Sequence, residues 1–114
     1  MKSLVQEKSF AFSLKVIKLY QRLIGKNEFV LSKQLLRSAT SIGANVEEAL
    51  AAQSRRDFLS KMSIASKEAR ETRYWLRLME ASKISEENYS GLLGEVEELV
   101  RMLTSIVKTT GKNR

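Results

Sequence analysis

Apolar residues recur along this chain at alternating steps of three and four, in four separate series. Phe12, Val16, Leu19 and Leu23 mark the first, widened by Phe10, Leu14 and Ile17, and Leu35, Ile42, Val46 and Ala49 mark the second. Phe58, Met62, Ala65, Ala69, Thr72, Leu76 and Met79 form the third; Tyr89, Leu92, Val96, Leu99, Leu103 and Ile106 form the fourth. That period places each series on one face of an α-helix and fits no strand. It predicts four helices, over about residues 4–24, 32–51, 55–82 and 85–109.

The punctuation between the series agrees with this division. Gly25-Lys26-Asn27 ends the first helix, with Gly25 suited to a left-handed C-cap. Ser54 and Asp57 resemble a capping box at the start of the third, with Asp in place of Glu. The connection before it is so short that helices 2 and 3 must be antiparallel neighbours. Glu86 and Glu87 precede the fourth series and Lys108 lies near its end, as the helix dipole favours. Gly111 to Arg114 is expected to be a frayed tail. The fold class expected is all-α: an antiparallel up-down four-helix bundle, one domain over residues 1–114.

Two polar features interrupt the apolar patterning. Ser38, Ser41, Asn45 and Glu48 form a narrow strip beside the second series. Polar groups at the edge of a core need partners, so Asn45 and Glu48 are expected to bond the start of helix 3. Glu48 would reach Arg55 or Arg56 and fix the helix 2–helix 3 corner; a ligand site is the competing use. On helix 3, Ile64, Glu68, Glu71, Trp75 and Leu78 repeat with seam spacing on a second side. A bundle helix needs one apolar face, so a second seam implies a second contact, with another helix of the bundle or with a neighbouring subunit.

Composition narrows the chemistry. The chain has no cysteine and no histidine among its 114 residues. Disulfides, thiol catalysis and Cys/His metal sites are therefore excluded, and the commonest general base near pH 7 is missing. Glu68 and Glu71 lie one turn apart, but di-iron bundles use Glu-x-x-His motifs, so pairing with arginines is the expected use of these carboxylates. No phosphate-cradling glycine loop or catalytic triad pattern occurs. No cofactor or metal is expected. Charges interrupt every apolar run, so neither a signal peptide nor a membrane span is expected, and the location expected is cytoplasmic.

Charge is the remaining signal. The net charge is +7, and it is lopsided: residues 1–84 hold 16 Lys/Arg and 8 Asp/Glu, residues 85–114 hold 4 and 5. A basic excess favours anionic partners, although it also serves solubility. Two strips could meet phosphates. Arg70, Arg73 and Arg77 share a side of helix 3, near Lys67, Tyr74 and Trp75; Lys15, Lys18 and Arg22 share a side of helix 1. Trp75 lies in the second seam and is expected to pack rather than stack on bases.

The stretch Ser41-Ile42-Gly43-Ala44-Asn45, and that from Lys67-Glu68-Ala69-Arg70-Glu71 through Thr72-Arg73-Tyr74-Trp75-Leu76, resemble a known family. It is the four-helix-bundle family named for proteins encoded in intervening sequences of bacterial 23S ribosomal RNA genes. It includes the accessory variability determinant of diversity-generating retroelements. The resemblance covers nearly the whole chain, with Ala39 where many members have glycine. It implies a homopentamer with a central channel. For the retroelement branch it implies binding of nucleic acid and of the element's reverse transcriptase.

Residues and resemblance together lead to one expectation. The chain is a non-enzymatic, oligomeric scaffold that binds RNA or DNA electrostatically, since five copies of +7 pool a strong field. Arg70, Arg73 and Arg77 are the first choice of face; Lys15, Lys18 and Arg22 are the alternative. The competing expectation is a protein-interaction adaptor that binds no nucleic acid; an enzyme is a remote third.

Overall fold

The structure, a computed structural model, describes residues 3–112. Its four helices are α1 (Leu4–Gly25), α2 (Val30–Leu50), α3 (Arg55–Ser82) and α4 (Ser90–Lys112). No strand occurs among the described residues. Each helix packs against the next, and α1 closes the ring against α4, while the diagonal pairs stay apart. The result is an up-down bundle measuring 47 × 22 × 21 Å.

The core is the set of residues the periodicity selects. Phe12, Val16, Leu35, Ile42, Val46, Ala65, Ala69, Leu76, Met79 and Leu103 are all fully buried. Small side chains decide how closely the helices approach. Between α1 and α2, Ser9 and Ser13 face Gly43, where a Cβ would stand 3.6 Å from both serine hydroxyls. Between α2 and α3, the fully buried Thr72 hydroxyl donates to Ser38 Oγ (2.9 Å) and lies 2.7 Å from the Glu68 carbonyl. Ser38 Oγ in turn is 3.3 Å from the Leu35 carbonyl, so both buried hydroxyls are satisfied.

Three series members lie elsewhere than the sequence places them. Phe10, Leu14 and Ile17 are 62, 49 and 37% exposed and do not widen the buried face. Phe10 and Leu14 each stand two residues from Phe12, about 200° around the helix, and so point away from the core. Both flanks of α1 are already taken, by Ser9 and Ser13 toward α2 and by lysines and Arg22 toward α4.

Helix ends also differ from the expected bounds, and at three of them capping is the reason. The α1 helix runs through Gly25, and Asn27 takes the left-handed conformation instead (φ 66°). Glu28 N then bonds the Leu23 carbonyl (2.9 Å) and Asn27 N the Ile24 carbonyl (3.0 Å), a Schellman closure in which asparagine replaces glycine. The α2 helix starts at Val30 rather than Ser32. The Glu28 carboxylate accepts from the free amides of Val30, Leu31 and Ser32, at 3.1, 3.1 and 2.7 Å.

The α3 cap is as expected on one side: Ser54 Oγ accepts from Asp57 N at 3.0 Å. The α4 helix starts at Ser90, not near Ser85, because Asn88 Oδ1 accepts from Ser90 N (2.9 Å) and holds a turn there. Tyr89 is buried as the periodicity requires, but it precedes the helix, with its hydroxyl 2.7 Å from Ser85 Oγ. Helix continues to Lys112, so Gly111 is not frayed; Asn113 and Arg114 lie outside the described residues.

Replacing Thr72 by valine keeps the volume but removes the side-chain hydrogen bond to the buried Ser38 hydroxyl. Loss of about 1–3 kcal/mol is expected in chemical denaturation. A valine variant as stable as wild type would show that the hydroxyl pair contributes nothing.

Candidate nucleic-acid interface

The basic strip of α1 is used inside the bundle. Lys8 pairs with Glu98 (3.1 Å), Lys15 with Glu95 (2.8 Å), and Arg22 and Lys26 with Glu87 (3.1 and 3.0 Å). Lys8, Lys15 and Arg22 are spaced by seven, so they recur on the same flank and meet carboxylates along the antiparallel α4 and the segment before it. Of the three α1 residues expected to reach phosphates, Lys15 and Arg22 are thus tied to carboxylates. Lys18 is exposed and makes no ion pair among the described residues.

Glu87 is the most enclosed carboxylate of this zipper. Burial alone pushes its carboxyl up, but the ion-paired hydrogen bonds from Lys26 and Arg22 outweigh it and hold the group below its usual value. It was expected to serve the α4 dipole; with the helix starting at Ser90, it fastens the bundle instead.

The second seam of α3 is partly engaged within the chain. Glu68 lies 3.4 Å from Arg37 of α2, and Glu71 also pairs with Arg37. Trp75 Nε1 donates to Glu71 at 3.0 Å, with the indole half-buried against the core. The Trp75 N–H, working against burial, and then Arg37 hold the Glu71 carboxyl below its usual value. For Glu68, Glu71 and Trp75 the contact is thus with residues of the same chain, while Ile64 and Leu78 stay half-buried. The same ion pairs answer the carboxylate question, since both glutamates face arginine as expected.

The polar strip of α2 divides differently from the expected arrangement. Ser38 alone is buried. Asn45 is half-buried and bonds back along its own helix, Nδ2 to the Ser41 carbonyl (2.9 Å) and hydroxyl (3.1 Å). Glu48 is exposed and pairs with Lys61 (3.0 Å), not with Arg55 or Arg56. Lys61 lies about a turn and a half further along α3, on the side that faces α2. Arg55 and Arg56 are exposed, make no ion pair among the described residues, and line an open surface hollow with Leu59 and Ser60.

The α3 strip divides in two. Arg73 pairs with Glu97 of α4 at 3.0 Å. Arg70 and Arg77 are exposed and make no ion pair among the described residues; Arg70 Nη2 donates to Thr104 Oγ1 at 3.2 Å. Lys67 and Tyr74 share their face, and Tyr74 is 56% exposed with its ring edge-on to Trp75. The face is therefore cationic, with one accessible aromatic ring. Sequence reasoning missed one further group of cations, on α4. Its signal was the order of charges: Glu95, Glu97 and Glu98 come first, and every charged residue from Arg101 onward is basic. A net count over residues 85–114 hides that order.

These features define a class: an antiparallel four-helix bundle closed by a charge zipper, with unpaired cations on its surface that include those on the outer faces of α3 and α4. The profile of the 23S rRNA-intervening sequence proteins matches residues 1–105, and the chain belongs to that family. It is also similar to a crystal structure of a protein of unknown function from the S23 ribosomal protein family of Bacteroides thetaiotaomicron. The two are 47% identical, with a TM-score of 0.86 over 92% of this chain and 96% of the other. Among curated proteins no relative matches. No helix among the described residues is long and apolar enough to cross a membrane.

Two outcomes follow for variants. Glu87→Gln should lower stability near neutral pH by about 1 kcal/mol, since it weakens two charged hydrogen bonds. A depressed carboxyl stabilises above its ordinary pKa, and that contribution disappears as pH falls through the folded-state value. The gap between wild type and variant in pH-dependent melts should therefore close on acidification; a constant gap would contradict the zipper. Glu48→Ala, at an exposed pair, should shift the thermal midpoint far less than Thr72→Val. An equal shift would restore the corner role for Glu48.

Proposed function

We propose that this protein is a non-enzymatic, self-associating scaffold that binds RNA or DNA through its free basic surface. The observation that carries this is the sorting of charge. The acidic residues of α4 are drawn to α1 and to Arg73, while Lys67, Arg70 and Arg77 face solvent around an exposed tyrosine. Such a face meets phosphates without reading bases, because it offers neither a recognition helix nor a set of stacking rings.

Self-association has a further surface besides the α3 seam. In that seam Glu68, Glu71 and Trp75 are engaged by one another and by Arg37, while Phe10, Leu14 and Ile17 form an apolar stripe along the outer face of α1. Three large apolar side chains in a row are covered in most stable proteins, and a further copy of this chain supplies matching surface. A homopentamer is the assembly the family resemblance supports. Pooling five basic faces multiplies phosphate contacts without any new residue.

Light scattering coupled to gel filtration should give about five times the 13.0 kDa chain mass. Binding to a labelled duplex should weaken steeply with salt and vary little with sequence. A monomer across micromolar concentrations would remove the assembly. No binding to RNA or DNA at low salt would leave the protein-interaction adaptor, with the α1 stripe as its contact surface.

A further inference from the structure

The geometry points to the C-terminal half of α4 as the main phosphate-binding row, docking the backbone of a double-helical nucleic acid. The inference rests on the proposed electrostatic binding and names the surface that does it. Arg101, Lys108 and Lys112 lie at steps of seven and four, on one exposed strip. With Thr104, Ser105, Thr109 and the mostly buried Val100 they line an open groove along the helix. Apart from Val100, every lining residue is a cation or a hydroxyl donor, the two kinds of side chain that most often meet phosphate oxygens.

Three observations separate this strip from a merely solvated face. First, its local acids are engaged elsewhere. Glu97 and Glu98 stand four and three residues before Arg101, close enough to neutralise it, but Arg73 and Lys8 hold them. Second, the row continues onto α3. Arg70 bonds Thr104, so its guanidinium sits at the groove's edge. Third, the groove has no aromatic lining residue. Single strands are held largely by stacking on rings, so a ring-free cationic groove suits a stacked duplex, which offers only its backbone.

The length also fits. Arg101 to Lys112 spans about 16 Å at 1.5 Å per residue. One duplex strand carries a charge about every 3.4 Å along the axis, so the row faces several phosphates at once. The cations near the end of α4 serve the helix dipole too, but a dipole role needs neither Arg101, three turns from the end, nor the missing acids.

The test is a salt titration of the full chain with a fluorescein-labelled DNA duplex, its RNA counterpart and an oligothymidine single strand. The Arg101→Gln/Lys108→Gln/Lys112→Gln variant should show a log–log salt slope shallower by about 2–3 on the DNA duplex, because each lost contact removes about 0.9. Circular dichroism confirms that it folds; if it does not, the exposed pair Lys108→Gln/Lys112→Gln replaces it, with a change of about 2. If wild type binds, the α4 variant keeps its slope and Lys67→Gln/Arg77→Gln loses it, the inference fails while electrostatic binding stands. It fails equally if the α4 variant loses only single-strand binding. If wild type binds none of the nucleic-acid probes at low salt, the proposed function itself falls.

Discussion

Closure of α1 against α4 is the constraint on which the bundle depends. The other three contacts join helices that follow one another through short turns, so the chain brings them together by itself. The α1–α4 contact joins the two ends of the fold and needs its own signal. Apolar burial supplies most of the attraction but is non-directional. Register comes from charge: cations at seven-residue spacing on α1 meet glutamates on α4 and on the segment before it. Each exposed pair contributes little to stability on its own. Together they disfavour any slip of α1 along α4, because a slip would set lysine and arginine opposite apolar or basic positions.

The α2–α3 contact solves a different problem. Serine, threonine and alanine let the two helices approach closely, but they place hydroxyls in the core. The Thr72–Ser38 hydrogen bond and the two carbonyls behind it satisfy those groups. Outside the core, Arg37 bridges both α3 glutamates and Lys61 holds Glu48. A polar strip that looks like a candidate ligand site in the sequence is thus divided into one buried pin and several ordinary surface contacts.

Charge sorting links the fold to the surface it offers. The glutamates that close the bundle are the ones that could have neutralised α3 and α4. Once they turn toward α1 and Arg73, Lys67, Arg70 and Arg77 of α3 and Arg101, Lys108 and Lys112 of α4 are left exposed on neighbouring helices. The same redistribution leaves the apolar stripe of α1 uncovered, because its flanks are committed to α2 and α4. A basic face and an apolar stripe on one small bundle favour an assembly that gathers many weak phosphate contacts.

The sequence by itself determined the four helices, their up-down order and nearly all of the core. Each of these follows from local periodicity, and Phe12, Leu35, Ala69 and Leu103 are buried because their spacing allows nothing else. It also determined that Glu68 and Glu71 need a cation and that Trp75 packs. Which cation each carboxylate meets was decided by tertiary structure alone. Arg37, Lys61 and Lys15 lie far in sequence from their partners, and only the packed helices bring them within reach. Helix ends moved for a related reason: Glu28 and Asn88 cap through their side chains and Asn27 through a left-handed backbone, none of which periodicity encodes. The candidate interface was legible as a basic excess, but not as a place. A cation is free only when no carboxylate reaches it, and that depends on which helix faces end up together.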